Sequence, residues 1–139
     1  MTKIRFKHCP SEIPLISLLM DSGERCLAVV DTGSEQTIFD ETFIDEHKDD
    51  FAFFEMKEGY NMVGIAAETQ ILFRTATMKA HIGKAVLSIN GITTDLSNLR
   101  IHFKKAYGDD YDIVCILGSD MLKRLNAKIN MKQGYLTLE

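Results

Sequence analysis

The chain has 139 residues, of which 45% are hydrophobic and 26% charged, and its net charge at pH 7 is −4. These values fit one globular domain over residues 1–139 and exclude disordered, collagen-like and Pro-rich classes. A mildly acidic chain lacks the basic surface typical of nucleic-acid binders, and no run approaches the roughly 20 apolar residues of a membrane helix. The three cysteines are odd in number and lack metal-ligand spacing, which favours a reducing, cytoplasmic location over a disulfide scaffold.

An apolar run near the N-terminus, Ile13–Met20, follows three basic residues and so resembles the core of a signal peptide. The run is short, Glu12 and Asp21 bracket it, and no small-residue cleavage site follows. A buried β-strand is therefore the interpretation that the residues favour. Export by another route stays open.

The first half of the chain reads mainly as β-structure. Asp21-Ser22-Gly23-Glu24 has the chemistry of a hairpin turn. The acidic stretch 40–50 predicts a short helix or a loop, and the aromatic stretch 51–58 leaves strand and loop open. Apolar runs predict strands at 13–20 and 26–30 and the two arms of a long hairpin over 61–73.

The second half continues with strands and short helices. Ser97 as N-cap and Gly108 just past the last turn predict an amphipathic helix between them, and Ser119-Asp120 can cap a helix that runs to about Leu125. The result is a mostly β domain with two or three short helices. Strands are predicted at 75–82, 85–90, 111–117, 127–131 and 135–138.

Asp31 is the residue with the most chemical weight. It directly follows five apolar residues and shortly precedes Ile38-Phe39, and a carboxylate embedded in such surroundings loses hydration. Gly33 permits a turn and a close approach by another chain, and the hydroxyls of Thr32 and Ser34 can hold that turn. Asp and Gly are also common in ordinary turns, so the tripeptide alone leaves a structural role open.

Two stretches together resemble the retropepsin-like aspartic proteases. The first is Leu27-Ala28-Val29-Val30-Asp31-Thr32-Gly33-Ser34 with Thr37-Ile38-Phe39, and the second is Ile116-Leu117-Gly118 followed by Ser119-Asp120-Met121-Leu122. The order and spacing match that family from Ile13 to Leu138, and the second stretch resembles bacterial members more than viral ones. The resemblance implies a mostly β acid-protease barrel, with one lobe supplied by each protomer.

The resemblance also implies a mechanism. Each protomer of this family supplies one Asp, so catalysis by Asp31 requires a homodimer in which two such carboxylates face each other. Two carboxylates that face each other closely share one proton. One then acts as general base on a water molecule, while the other polarises the scissile carbonyl of a peptide. No metal or organic cofactor takes part. The partners implied are a second copy of the chain and a peptide or protein substrate, with no nucleic acid and no membrane.

Further site residues follow from the same resemblance. Asp31, Thr32 and Gly33 form the catalytic set, with Thr32 bonding across the two-fold axis and Gly33 touching substrate backbone. Ser34 supports the outer oxygen of the Asp31 carboxylate and contributes to substrate binding. The hairpin 61–73 takes the place of the family's flap. Substrate contacts are implied for Gly64, Ile65, Ala66 and Ala67 of that hairpin and for Leu117, which with Gly118 packs beneath the Asp31 turn.

Three features depart from the family pattern. The flap tip, Ala66-Ala67-Glu68, is not glycine-rich. Retroviral members carry an Arg where this chain has Ser119, so Glu35 lacks the basic partner that the pattern provides. The segment 92–112 is longer than the viral minimum. An alternative function is therefore a non-catalytic peptide-binding or dimerisation module with the same fold, and a structural domain with an accidental Asp turn is a third.

Other reactive residues carry no comparable pattern. The four histidines are scattered and the acidic stretch 109–112 lacks the glycine and distal glutamate of an EF-hand loop, so no metal site is expected. Cys26 and Cys115 fall in apolar runs and are expected to be inert core residues.

Overall fold

The strands and helices of the computed structural model, which describes residues 1–61, 70–82 and 84–139, follow the hydrophobic pattern of the sequence. The strands are β1 (Thr2–Arg5), β2 (Leu15–Met20), β3 (Arg25–Val30), β4 (Ile38–Asp40), β5 (Phe51–Asn61), β6 (Gln70–Ile82), β7 (Ala85–Thr94), β8 (Ile113–Leu117), β9 (Lys128–Asn130) and β10 (Tyr135–Leu138). The helices are α1 (Glu41–Glu46), α2 (Ser97–Tyr107) and α3 (Ser119–Arg124), with a 3-10 turn at Lys48–Asp50. The mostly β prediction with short helices is confirmed. The aromatic stretch left open by the sequence lies within β5.

A closed barrel forms the body of the fold. Its strands join in the order β2-β3-β8-β4-β7-β6, and β2 pairs again with β6, while β5 extends the sheet beyond β6. β3 and β8 run parallel, and β4 lies antiparallel to β8 on its other side. The barrel interior holds most of the fully buried apolar side chains, among them Ile16, Leu18, Phe39, Met78 and Ile89.

The barrel closes along a short seam between β2 and β6. Only the pairs Leu19↔His81 and Met20↔Ala80 join these two strands, whereas β6 and β7 pair continuously from Thr75 to Ile82. At the end of the seam, the imidazole of His81 hydrogen-bonds the carboxylate of Asp21, the residue that follows β2. The seam therefore depends on few backbone hydrogen bonds.

A second, smaller sheet joins the two ends of the described chain. Its order is β1-β10-β9, with both neighbouring pairs antiparallel. The closing hairpin of β9 and β10 agrees with the sequence prediction. β1 was not predicted, because Thr2–Arg5 is only four residues long and contains a single apolar side chain, Ile4. Ile4, Leu136 and Leu138 turn inward from this sheet and join the barrel core.

Two boundaries differ from the sequence prediction for identifiable reasons. Ser97 is the first residue of α2 rather than its N-cap, which is Leu96, and the Ser97 amide instead donates to the Asp95 carboxylate at 2.8 Å. β7 continues past Asn90 because Gly91 is a close-packing residue and not a turn. A Cβ at Gly91 would lie 2.9 Å from the ring of Phe39.

The tip of the β2–β3 hairpin is a structural turn, as predicted. Ser22 donates from its backbone amide and its hydroxyl to Asp50, at 3.0 and 2.8 Å. The Nε2 atom of His47 lies 2.6 Å from a carboxylate oxygen of Glu24. Burial opposes protonation of His47, but hydrogen bonds to the Phe43 carbonyl and to Glu24 outweigh it and raise the pKa of the imidazole.

A buried carboxylate anchors the longest helix. Asp40, at the end of β4, is 1% exposed, and it accepts hydrogen bonds from the backbone amides of Phe43 and Leu96 at 3.0 and 2.8 Å. Arg100 of α2 donates to Asp40 at 2.7 Å and to both oxygens of Asp112 at 2.7 and 2.8 Å. The hydrogen bonds to Asp112 raise the pKa of Arg100, so its charge is retained. We call Asp40, Arg100 and Asp112 the Arg100 clamp.

Within the described residues, no helix is long and apolar enough to cross a membrane.

Candidate active site

The segment between β3 and β4, residues 31–37, contains the Asp-Thr-Gly-Ser sequence, and we call it the Asp31 loop. Because β8 lies between β3 and β4 in the barrel, this loop must cross over the C-terminal end of β8. Two backbone hydrogen bonds fix the crossing. The Asp31 amide donates to the Leu117 carbonyl at 3.0 Å, and the Ser119 amide donates to the Ser34 carbonyl at 2.7 Å.

The structure corrects one expectation about Asp31. Its side chain is exposed in the single chain rather than embedded among apolar neighbours, because the chain leaves the sheet at Val30 and the apolar side chains on either side turn into the core. The Oδ1 atom accepts a hydrogen bond from the Gly33 amide at 2.9 Å. Among the described residues, none donates to the second carboxylate oxygen. The carboxylate is therefore oriented by the loop and open on one side.

The other residues of the loop are placed in different ways. Thr32 is exposed beside Asp31. Gly33 does not adopt a positive φ; its small size matters because a Cβ there would lie 3.3 Å from the Asp31 Oδ1 atom. The Ser34 hydroxyl donates to the Gln36 carbonyl at 2.7 Å, so in the single chain it closes the loop rather than supporting the Asp31 carboxylate.

Leu117 and Gly118 lie beneath the Asp31 loop, as the resemblance implied. Leu117 is 2% exposed, so its side chain belongs to the core and only its carbonyl serves the loop; this corrects its expected place in a substrate-binding surface. Gly118 has no room for a side chain. A Cβ there would lie 2.5 Å from the Gln36 carbonyl oxygen and 2.8 Å from that of Ser34.

Gly118→Ala is expected to lower the free energy of unfolding by about 1–3 kcal/mol, because the added methyl group overlaps backbone atoms that cannot rotate away. Urea denaturation measures the effect. Ser119→Ala is the matched control, since the hydrogen bond from the Ser119 amide to the Ser34 carbonyl involves only the backbone. We expect its free energy of unfolding to change by no more than about 0.5 kcal/mol. Equal stabilities of the two variants would contradict the tight crossing.

Two polar residues, Thr37 and Asp120, hold the other end of the loop. The sequence predicted Asp120 only as part of a helix cap, but the N-cap of α3 is Gly118, which has no side chain to cap it. The Thr37 side chain is fully buried, and its hydroxyl accepts from the Gly118 amide at 3.0 Å and donates to Asp120 at 2.7 Å. Asp120 also accepts from the Met121 amide at 2.7 Å. Their separation of 83 positions hides this pair in the sequence, although both lie within the two stretches that carry the resemblance.

The flap-tip residues Gly64, Ile65, Ala66 and Ala67 lie outside the described residues, so their part in substrate binding stays a prediction. In the described ranges, no group of three or more His, Cys, Asp or Glu side chains is arranged to hold a metal ion.

The core cysteines offer no nucleophile. Burial raises the pKa of Cys26 to about 12 and that of Cys115 well above its ordinary value. Both side chains therefore remain thiols at neutral pH, which is the unreactive form.

Comparison with solved structures identifies the class of fold. EIAV protease complexed with the inhibitor HBY-793 has a TM-score of 0.57 and 14% identity, over 89% of this chain and 98% of the other. A retropepsin-like aspartic protease from Rickettsia conorii has a TM-score of 0.58 and 15% identity, over 96% and 87%. The retroviral protease-like domain of Ddi1 from Leishmania major has a TM-score of 0.54 and 12% identity, over 91% and 87%.

The chain therefore has the fold of the retropepsin-like aspartic proteases, as its two sequence stretches predicted. No family model matches the chain, and no curated protein matches it in sequence. At these identities the likeness establishes the fold alone.

Proposed function

We propose that the protein is an aspartic endopeptidase that acts as a homodimer on extended peptides. The observation that carries this proposal is the placement of Asp31. A retropepsin-like barrel presents one exposed carboxylate at the end of β3, with Oδ1 oriented by the Gly33 amide at 2.9 Å, on a loop clamped over Gly118. An exposed carboxylate whose orientation is fixed by the backbone can pair with a chemical group on another molecule.

The second group is the Asp31 carboxylate of another copy of the chain. Two carboxylates brought within a few ångströms cannot both ionise, so the pair holds one proton. The ionised member removes a proton from a shared water molecule, which attacks the scissile carbonyl while the protonated member polarises that carbonyl. The chemistry requires neither a metal nor an organic cofactor.

The remaining roles complete the proposal. Thr32, exposed beside Asp31, bonds to the opposite loop across the two-fold axis, and Gly33 contacts the peptide backbone. The hairpin 61–73 covers the bound peptide and excludes water. The domain 1–139 acts in the cytoplasm on peptide or protein substrates, without nucleic acid or membrane partners.

Peptide cleavage measured against protein concentration tests the proposal. A library of unstructured peptides is incubated at pH 4–7, and we expect cleavage whose rate per chain rises with concentration until the dimer is saturated. A statine-type inhibitor should block it. Absence of cleavage from folded protein at every pH and concentration would overturn the proposal in favour of a non-catalytic peptide-binding or dimerisation module. Inhibitor-resistant cleavage, or full activity from a monomer, would also overturn it.

A further inference from the structure

The hydroxyl of Thr37 links the Asp31 loop to the beginning of α3 by two hydrogen bonds, one accepted and one donated. An amide only donates and a carboxylate, when ionised, only accepts. Since the Gly118 amide donates to the Thr37 hydroxyl at 3.0 Å, the hydroxyl proton is directed to Asp120, 2.7 Å away. Thr37 is fully buried, whereas Asp120 is exposed, so the bond from the Gly118 amide is enclosed and the bond to Asp120 is partly buried.

Asp120 is itself held in place. Its Oδ1 atom also accepts from the Met121 amide at 2.7 Å, which fixes the carboxylate at the first turn of α3. In the same turn, the Ser119 amide donates a hydrogen bond to the Ser34 carbonyl at 2.7 Å. The beginning of α3 thus contacts the Asp31 loop at its middle and at its end.

We propose that Asp120 is a positioning residue for Asp31 and acts through the Thr37 hydroxyl. This inference rests on the proposed function. At its start the loop is held by the Asp31 amide on Leu117, and at its end by Thr37. Removing the acceptor on Asp120 leaves the end of the loop held only by the Gly118 amide on the Thr37 hydroxyl and the Ile92 amide on the Thr37 carbonyl, each at 3.0 Å. This looser attachment lets the Asp31 carboxylate shift from its position. Small displacements of a catalytic group, of about 1 Å, lower rates by up to about 10²-fold.

Four variants with two readouts test the inference. Asp120→Ala and Thr37→Val are expected to lower kcat for peptide cleavage by about 10- to 100-fold, with KM within about twofold. Asp120→Asn keeps a side-chain acceptor and Thr37→Ser keeps the hydroxyl, so both should restore kcat to within about threefold of the native value. The matched control is Lys123→Ala, an exposed change on the same helix, which should leave kcat unchanged.

Coupling between the two side chains distinguishes positioning from independent structural roles. The double variant Asp120→Ala/Thr37→Val should be no slower than the slower single variant, because both changes remove one interaction. Losses that multiply, or single variants with native kcat and a lowered melting temperature, would overturn the inference.

A measurement independent of activity covers the case in which the native chain does not cleave peptides and the proposed function fails. Amide hydrogen exchange at Asp31 and Ser119 is expected to be at least about 10-fold faster in Asp120→Ala and Thr37→Val than in the native protein, since both loop bonds would open more often. Exchange at native rates in both variants would overturn the positioning role of Asp120.

Discussion

Asp31→Asn is expected to lower kcat for peptide cleavage by about 10²–10⁴-fold, the range that general acid–base groups contribute. An asparagine oxygen can still accept the hydrogen bond that the Gly33 amide makes to Asp31 at 2.9 Å, so the loop should keep its shape. The amide cannot take up the proton of the attacking water, however, and the chemical step is lost. The assay uses a peptide from the cleavage library with kcat measured at saturating substrate.

The chain supplies a matched control for this variant. Asp21 lies in the chemically similar sequence Asp21-Ser22-Gly23, at the opposite end of β3 and in a structural turn. Asp21→Asn should keep native kcat. Equal cleavage by the native chain and Asp31→Asn would remove Asp31 from the chemistry altogether.

Mixing native and Asp31→Asn chains adds a test of the two-fold site. If each site needs one carboxylate from each copy, an equal mixture contains about one quarter native dimers after random exchange. Activity should therefore fall to about half of that of the native chains assayed alone at the same native concentration. Unchanged activity in the mixture would indicate that one chain is sufficient.

Arg100→Ala is expected to lower the free energy of unfolding by about 3–5 kcal/mol, which is the effect of removing one partner from a buried ion pair. Asp40 is 1% exposed, and without Arg100 its charge would be buried with only the amides of Phe43 and Leu96 as donors. Urea denaturation at neutral pH measures the loss, provided that the dependence on urea concentration is unchanged.

Lys104→Ala is the control on the same helix. The Lys104 ammonium lies 3.6 Å from Asp112 and its side chain is 38% exposed, so its removal should cost less than about 1 kcal/mol. Similar losses for Lys104→Ala and Arg100→Ala would show that the Arg100 clamp contributes no more than a surface ion pair.

The pH dependence of the Arg100 clamp follows from the shift at Asp112. The hydrogen bonds from Arg100 outweigh desolvation and lower the pKa of Asp112 below its ordinary value of 3.8. A carboxyl whose pKa is lower in the folded state stabilises the fold above its unfolded pKa and loses that contribution as pH falls through the folded value. The contribution of Asp112 should therefore persist to about pH 4 and disappear in stronger acid, which leaves it intact over the proposed assay range.

Most of the fold could be predicted because apolar runs long enough to be recognised became strands. The run before Asp31 became β3, and the run before Gly118 became β8. By contrast, β1 is too short and too charged to stand out, and its place beside β10 is settled by pairing with residues at the other end of the chain.

The sequence predicted which residues form the candidate site, but it did not predict the contacts between them. Asp31 and Gly118 lie in recognisable sequence patterns, and the structure places them on either side of one loop crossing. The exposure of Asp31 was missed because flanking apolar residues do not reveal that the chain leaves the sheet at Val30. The contacts of Thr37 with Asp120 and of Arg100 with Asp40 join residues 83 and 60 positions apart, and such pairings depend on the three-dimensional path.

The two residue pairs between β2 and β6 imply an uneven resistance to local unfolding. Regions with few backbone hydrogen bonds separate first during native-state fluctuations. The barrel should therefore open locally at the seam between β2 and β6. The Asp31 loop connects β3 to β4 and crosses the end of β8, and none of these three strands forms the seam. A barrel that opens between β2 and β6 can therefore fluctuate while the Asp31 carboxylate keeps its orientation.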